Sequence, residues 1–186
     1  MLTAVVPVKS MDLAKSRLSG VLDAQGRGAL ARQMRDHVLE TLREAGIASV
    51  RVASGNRDLN ADVTEAARLA EDAGAANLLL VMADLPYLSR DDIAALIEAG
   101  QQSAVVIAEA KDGGTNALLL RPPTVVEFGF SRERPSAETH AARARARGIE
   151  PAIVRRPGLA RDIDTPADLA ALAADHAAYR VFRHVA

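Results

Sequence analysis

A chain of 186 residues, 49% hydrophobic and 25% charged, has the composition of a globular protein, and at this size folding buries roughly 70% of the unfolded surface. Lys plus Arg (23) almost balance Asp plus Glu (24), giving a formal net charge of −1, so no global field draws nucleic acid or an acidic membrane. The lack of cysteine excludes disulfides, thiolate metal sites and cysteine nucleophiles, and the lack of tryptophan with only 3% aromatics argues against stacking platforms for single-stranded nucleic acid. The apolar start has no basic lead and meets Lys9 after eight residues, too soon for a signal peptide or membrane span, so a cytoplasmic protein is expected.

Short apolar runs alternate with stretches of helical period, the signature of βα units around a largely parallel sheet. Leu2 to Val8 reads as a buried first strand. From Asp23 to Ala45, Leu30, Met34, Val38 and Leu42 recur every four residues and lay one apolar stripe on a helix that Gly46 can close. Val50 to Ser54 is a second strand, Ala61 to Ala73 an Ala-rich helix, and Asn77 to Ala83 a third strand with the continuous hydrophobicity of a central position. Ser89 and Asp92 form a capping box before Ile93, Leu96 and Ile97, with Gly100 ending that helix. Strands at Ala104 to Ala108 and Ala117 to Leu120 flank a turn containing Asp112-Gly113-Gly114. Pro135 to Arg147 is helical, Pro151 to Arg155 extended, and Thr165-Pro166 opens a last helix. Neither a repeat nor a low-complexity linker interrupts residues 1–186, so one domain is expected.

In open α/β sheets, ligands collect beyond the carboxyl ends of the strands, which gives weight to four polar segments. The loop leaving the first strand carries Lys9, Lys15 and Arg17, which could neutralise a polyphosphate; a solvated basic loop is the competing reading, and the glycines of a Walker or dinucleotide turn are absent. Asp84 ends the most hydrophobic strand and suits a hard divalent cation such as Mg²⁺, against the alternative of a turn Asp. Asp162 and Asp164 stand two apart on an extended approach to a helix, so both carboxylates face one side while Ile163 faces the core. Asp168, three residues after Thr165, is a capping residue with no catalytic role. In Gly113-Gly114-Thr115-Asn116 the glycines allow close backbone approach and the polar pair supplies donors and acceptors, although a plain hairpin turn explains the glycines equally well. Ser136 precedes the helix that carries His140, an arrangement that fits either phosphate binding or a simple N-cap with a surface histidine. His37, His176 and His184 lack a partner pattern and read as surface or helix residues.

Taken together, Val6-Pro7-Val8-Lys9, Ala14-Lys15-Ser16-Arg17-Leu18, Ala83-Asp84-Leu85-Pro86, Gly113-Gly114-Thr115-Asn116-Ala117-Leu118, Ser136 with His140, and the segment from Asp162 to Leu169 resemble the CofC/FbiD guanylyltransferases of coenzyme F-420 biosynthesis. The pieces occur in the family's order and span almost the whole chain. The resemblance implies a single-domain, Rossmann-like nucleotidyltransferase of the glycosyltransferase-A type that moves GMP from GTP to a phosphorylated three-carbon acid: phosphoenolpyruvate, 2-phospho-L-lactate or 3-phospho-D-glycerate. It assigns Lys9, Lys15 and Arg17 to the GTP phosphates, Asp84 and Asp164 to Mg²⁺ with Asp162 as a further ligand, and Lys15, Asp84 and Asp164 to catalysis. Asn60, in a Leu59-Asn60 pair similar to the family's Gly-Leu-Asn, falls to the guanine side. Thr115, Asn116, Ser136 and His140 fall to the acceptor. Two departures stand out: Arg134-Pro135-Ser136 replaces a glycine-rich Gly-Ser, and the stretch from Ser54 to Asn60 is short. The alternatives are another nucleotidyltransferase of this fold, such as a molybdopterin guanylyl- or cytidylyltransferase, and a non-catalytic nucleotide-binding regulatory domain. The first would carry a glycine-rich loop after strand one, and the second would be expected to lose its metal carboxylates.

Overall fold

A computed structural model describes residues 1–8, 15–54, 58–131 and 133–183. The elements in chain order are β1 (Leu2–Val8), α1 (Ala24–Glu44), β2 (Ser49–Ser54), α2 (Leu59–Asp72), β3 (Asn77–Val81), α3 (Arg90–Ala99), β4 (Val105–Glu109), β5 (Thr115–Leu120), α4 (Ser136–Ala146), β6 (Ala152–Val154), α5 (Pro157–Ala160) and α6 (Pro166–Asp175). The strands form one six-stranded sheet in the order β2-β1-β3-β5-β4-β6. Pairings of β1 with β2, β1 with β3, and β4 with β6 are parallel, whereas β5 runs antiparallel to both β3 and β4. The sheet is therefore mostly parallel, as expected, with one reversed strand that a tight β4–β5 hairpin introduces.

Alternation of side chains along the strands produces two cores. Ala4, Val6, Leu79, Val81, Val106 and Leu119 face α1 and α3, and Val5, Leu78, Leu80, Ile107, Leu118 and Leu120 face α2 and α4. The stripe of α1 is divided: Val38 and Leu42 enter the first core, while Leu30 and Met34 join Leu18, Ile163, Leu169 and Leu172 in a third cluster. That third cluster ties the segments flanking Lys15 and Asp164 to the same helix.

Helix ends follow the sequence closely. Asp23 accepts a hydrogen bond from Gly26 N–H at the start of α1, and both Ser89/Asp92 and Thr165/Asp168 form complete capping boxes. Several boundaries differ from expectation. The third strand ends at Val81, leaving Ala83 and Asp84 in a turn, and β5 begins at Thr115, two residues early. The short α5 and a C-terminal 3₁₀ segment, Ala177–Arg183, have no counterpart in the sequence reading; four residues are too few to show a helical period.

At the ends of β1 and β3 the sheet opens. Pairing between them stops at Val5 opposite Leu80, and Pro7, two residues further, has no N–H to extend a ladder. On the other side α5 is locked in place. Asn116 Nδ2 donates to Leu159 O at 2.9 Å, Lys111 N–H donates to Ala160 O at 3.0 Å, and Arg156 donates to the buried Asp92 carboxylate at 2.7 Å. Gly158 is required there, because a Cβ would sit 2.0 Å from Asp92 Oδ2 and 2.5 Å from Tyr87 O. Gly158→Ala should therefore destabilise the protein by at least about 2 kcal/mol, as overpacking against backbone does; urea unfolding with an unchanged midpoint would contradict this packing.

Candidate functional site

A cleft of about 540 Å³ lies where the sheet opens. Its floor comes from the strand ends: Pro7 and Val8 of β1, Ala53 of β2, and Met82, Ala83 and Asp84 after β3. Ala31, Met34 and Arg35 of α1 form one wall, Leu59 and Asp62 of α2 another, and Ser131 and Glu133 to Ser136 with Asp112 and Gly114 a third. This is the position where a doubly wound sheet takes its ligands.

Three carboxylates converge at one end. Asp84, Asp162 and Asp164 each offer an oxygen, and these atoms all lie within 4.8 Å of one another. Asp84 sits in the turn after β3, anchored by the fully buried Leu85. Asp162 and Asp164 project from the extended approach to α6, and Ile163 between them is 1% exposed. Asp168 fixes that approach: its carboxylate accepts from Thr165 N–H at 2.8 Å, Thr165 Oγ1 at 2.6 Å and Asp164 N–H at 3.3 Å, which is the capping role its spacing indicates.

Lys15 enters this cluster from the segment that precedes α1. Its Nζ donates to Asp84 Oδ2 at 2.6 Å and to Asp164 Oδ1 at 3.1 Å, and Arg17 adds a contact to Asp164 Oδ2 at 3.3 Å. Burial pushes the Lys15 ammonium pKa down, but the charges of Asp84 and Asp164 outweigh it and the net shift is upward, so Lys15 stays charged. Asp162 is pushed up to about 6, first by burial and then by the like charges of Asp84 and Asp164. Three clustered acids against one buried cation leave an excess of negative charge, and an all-oxygen set of this kind fits a hard divalent cation.

The third wall is polar inside. Ser136 is the first residue of α4, with Pro135 at the N-cap, so it does not cap the helix; its Oγ lies 3.0 Å from Thr115 Oγ1. Thr115 Oγ1 lies 3.0 Å from His140 Nδ1, and His140 Nε2 accepts from Gly129 N–H at 2.9 Å. The Ala137 N–H at the head of α4 is already donated to Gly113 O, at 3.2 Å.

Of the residues expected at the acceptor, Ser136 lines the cleft, whereas Thr115, Asn116 and His140 are 4%, 5% and 0% exposed and lie behind its lining. Starting β5 at Thr115 turns this pair into strand residues, with Thr115 beside Ser136 and Asn116 engaged by Leu159. His140 is likewise not a surface histidine. Asn60, expected on the guanine side, clamps the segment leading to Ser131: its Nδ2 donates to Phe130 O at 2.9 Å and its Oδ1 accepts from Phe130 N–H at 2.8 Å. His37 is half-buried and bonded to Leu88 O at 2.9 Å. Lys9 and His184 lie outside the described residues. Sequence reasoning missed Arg35 and Asp62 on the walls; each sits on a helix flank beside an apolar stripe, where polarity is uninformative.

An α/β sheet with a carboxylate cluster and a lysine at its strand ends is the arrangement of a nucleotidyltransferase. Residues 44–180 match the family described as "Guanylyl transferase CofC like", and the chain belongs to that family. It is 40% identical over 92% of its length to a phosphoenolpyruvate guanylyltransferase of Rubrobacter xylanophilus, covering 93% of that protein. It is 34% identical over 89% of its length to a 2-phospho-L-lactate guanylyltransferase of Methanothrix thermoacetophila, covering 80% of it. In fold it is similar to a nucleotidyl transferase from Methanothermobacter thermautotroptrophicus, with a TM-score of 0.63 at 16% identity over 92% of this chain and 95% of the other. Among the described residues no helix is long and apolar enough to cross a membrane.

Burial, reinforced by the nearby Arg143 charge and opposed by the Ser136 carbonyl, lowers the His140 pKa from 6.5 to about 4. Because the unfolded chain then takes up this proton first, the neutral ring's contribution to stability is complete above pH 6.5 and is lost as pH falls towards 4. Asp162, whose pKa is raised to about 6, slopes the opposite way between pH 4 and 6. The comparison that isolates His140 is the wild-type protein against His140→Gln. Their difference in unfolding free energy should grow by about 3 kcal/mol between pH 4 and 6.5, and a pH-independent difference in denaturant titrations would contradict a buried neutral ring.

Proposed function

We propose that this protein transfers GMP from GTP to the phosphate of a small three-carbon phosphoacid, with phosphoenolpyruvate as the first candidate and 2-phospho-L-lactate as the second, in coenzyme F-420 biosynthesis in the cytoplasm. The observation that carries the proposal is the union, in one cleft, of a carboxylate cluster, a buried lysine and a separate hydroxyl at Ser136. Both acceptors are suggested by the names of relatives at 40% and 34% identity, and 3-phospho-D-glycerate shares the same groups.

An oxygen of the acceptor phosphate attacks the α-phosphorus of GTP. The new P–O bond joins GMP to the phosphoacid, and the bond to the β-phosphate bridging oxygen breaks with its electron pair, releasing pyrophosphate. The attacking oxygen is already anionic, so a general base is unnecessary and catalysis reduces to positioning and charge stabilisation. Lys15 and Arg17 would meet the triphosphate, with Lys15 stabilising the charge that grows on the departing group. Asp84 and Asp164, with Asp162 beside them, would hold Mg²⁺, which when bound supplies Lewis-acid charge stabilisation at the phosphates. Ser136 would donate to an acidic group of the acceptor.

Incubation with GTP, Mg²⁺ and each acid in turn should release pyrophosphate, fastest with phosphoenolpyruvate; no release with any of the three would overturn the proposal. Asp84→Asn and Asp164→Asn should fold normally and lose about 100-fold or more in turnover, by analogy with loss of an oxyanion donor. Full activity in either variant, or in EDTA, would remove the metal from this reading.

A further inference from the structure

The mechanism above makes no use of His140, a fully buried histidine with both ring nitrogens engaged. Gly129 N–H can only donate, so His140 Nε2 must present a lone pair to it. In a neutral ring the proton then sits on Nδ1, with Thr115 Oγ1 at 3.0 Å and the Ser136 backbone carbonyl as its acceptors. Thr115 accepts that proton's hydrogen bond and has one proton of its own, and the Ser136 oxygen stands 3.0 Å away. With Thr115 O–H donating to Ser136 Oγ, every buried donor in the row has an acceptor, and the Ser136 proton is left for the cleft. In the opposite order Ser136 spends its proton on Thr115, and the Thr115 proton, 4% exposed and doubly approached by donors, has no acceptor among these partners. An unmet donor at such a site costs the desolvation penalty of the group.

We propose that His140 is a positioning residue which, through Thr115, turns the Ser136 hydroxyl into a one-way donor aimed at the acidic group of the acceptor. The low His140 pKa agrees with the neutral ring this requires. Local structure reinforces the arrangement: Phe130 packs edge-on against the His140 ring at 4.9 Å between centroids, and Asn60 holds Phe130 by two hydrogen bonds. With the Ala137 amide already committed to Gly113, the hydroxyl has more of the recognition to do. The inference rests on the reading of Ser136 as the acceptor contact.

The test begins with wild-type protein. Long-range ¹H–¹⁵N NMR at neutral pH should show His140 protonated on Nδ1 and bare on Nε2, and phosphoenolpyruvate added to the GTP-bound protein should move the Nδ1–H resonance. A ring protonated on Nε2, or a resonance unmoved by saturating phosphoenolpyruvate, overturns the proposal without any mutant. In kinetics, Thr115→Val should raise the phosphoenolpyruvate KM about tenfold or more, the effect of a weakened hydrogen bond to a charged group, with the GTP KM unchanged. Thr115→Ser should restore it to within about threefold. An unchanged KM in Thr115→Val alongside a raised one in Ser136→Ala would sink the relay and spare the acceptor site. An unchanged KM in Ser136→Ala would sink both.

Discussion

The Lys15 ammonium, bridging Asp84 and Asp164, is the interaction on which the cleft depends. Carboxylates whose oxygens lie within 4.8 Å of one another repel, and in partly buried surroundings that repulsion reaches several kcal/mol per pair before compensation. One lysine with a side chain only 8% exposed offsets part of it. Its backbone adopts a left-handed conformation, with φ of 53°, a geometry that costs a non-glycine residue about 1 kcal/mol or more and persists only where surroundings impose it. The surroundings here are the ion pair and the burial of Leu18, packed in the cluster that also holds Ile163. The same apolar contacts that anchor the lysine segment therefore anchor the acidic one.

The wall opposite is built on neutral hydrogen bonds. Asn60 grips Phe130 and Gly129 N–H donates to His140, so each polar side chain engages backbone that would otherwise have no regular partner. Gly129 and Phe130 belong to neither helix nor strand, and these bonds hold them in place. Pro135 restricts the chain just ahead of Ser136, at the cost of one amide donor.

The fold was largely legible because its signals are local and repeated. The four-residue stripe of α1, the unbroken apolar run of β3 and both capping boxes each arise from contacts within a few residues. Asp162 and Asp164 were legible as a same-side pair for the same reason, through strand alternation around Ile163. What could not be read was depth. Thr115 and Asn116 follow two glycines and look like loop residues, yet the reversed strand β5 places them between β3 and β4, and only the sheet order reveals that they are buried. His140 is hidden likewise by a partner at Gly129 that no spacing rule connects to it.

On the proposed reading, a nucleoside triphosphate and a small phosphoacid must be kept in their own halves of one cleft, and the distribution of charge offers a means. On the proposed reading, Lys15 and Arg17, together with the divalent cation that the carboxylates would hold, would give one end the positive charge a triphosphate needs. Around Ser136 the only cation lining the cleft among the described residues, Arg134, is accompanied by Asp112 and Glu133, and the buried support is a neutral histidine. A lysine in place of that imidazole would strengthen acceptor binding, but it would strengthen triphosphate binding at the same spot by at least as much, because Coulomb attraction scales with the ligand's charge. A neutral, geometrically fixed donor gains less from the extra charge and depends more on where the oxygen is placed. Selecting position over charge would allow a small acid to hold its half of the cleft against the nucleotide proposed to lie beside it.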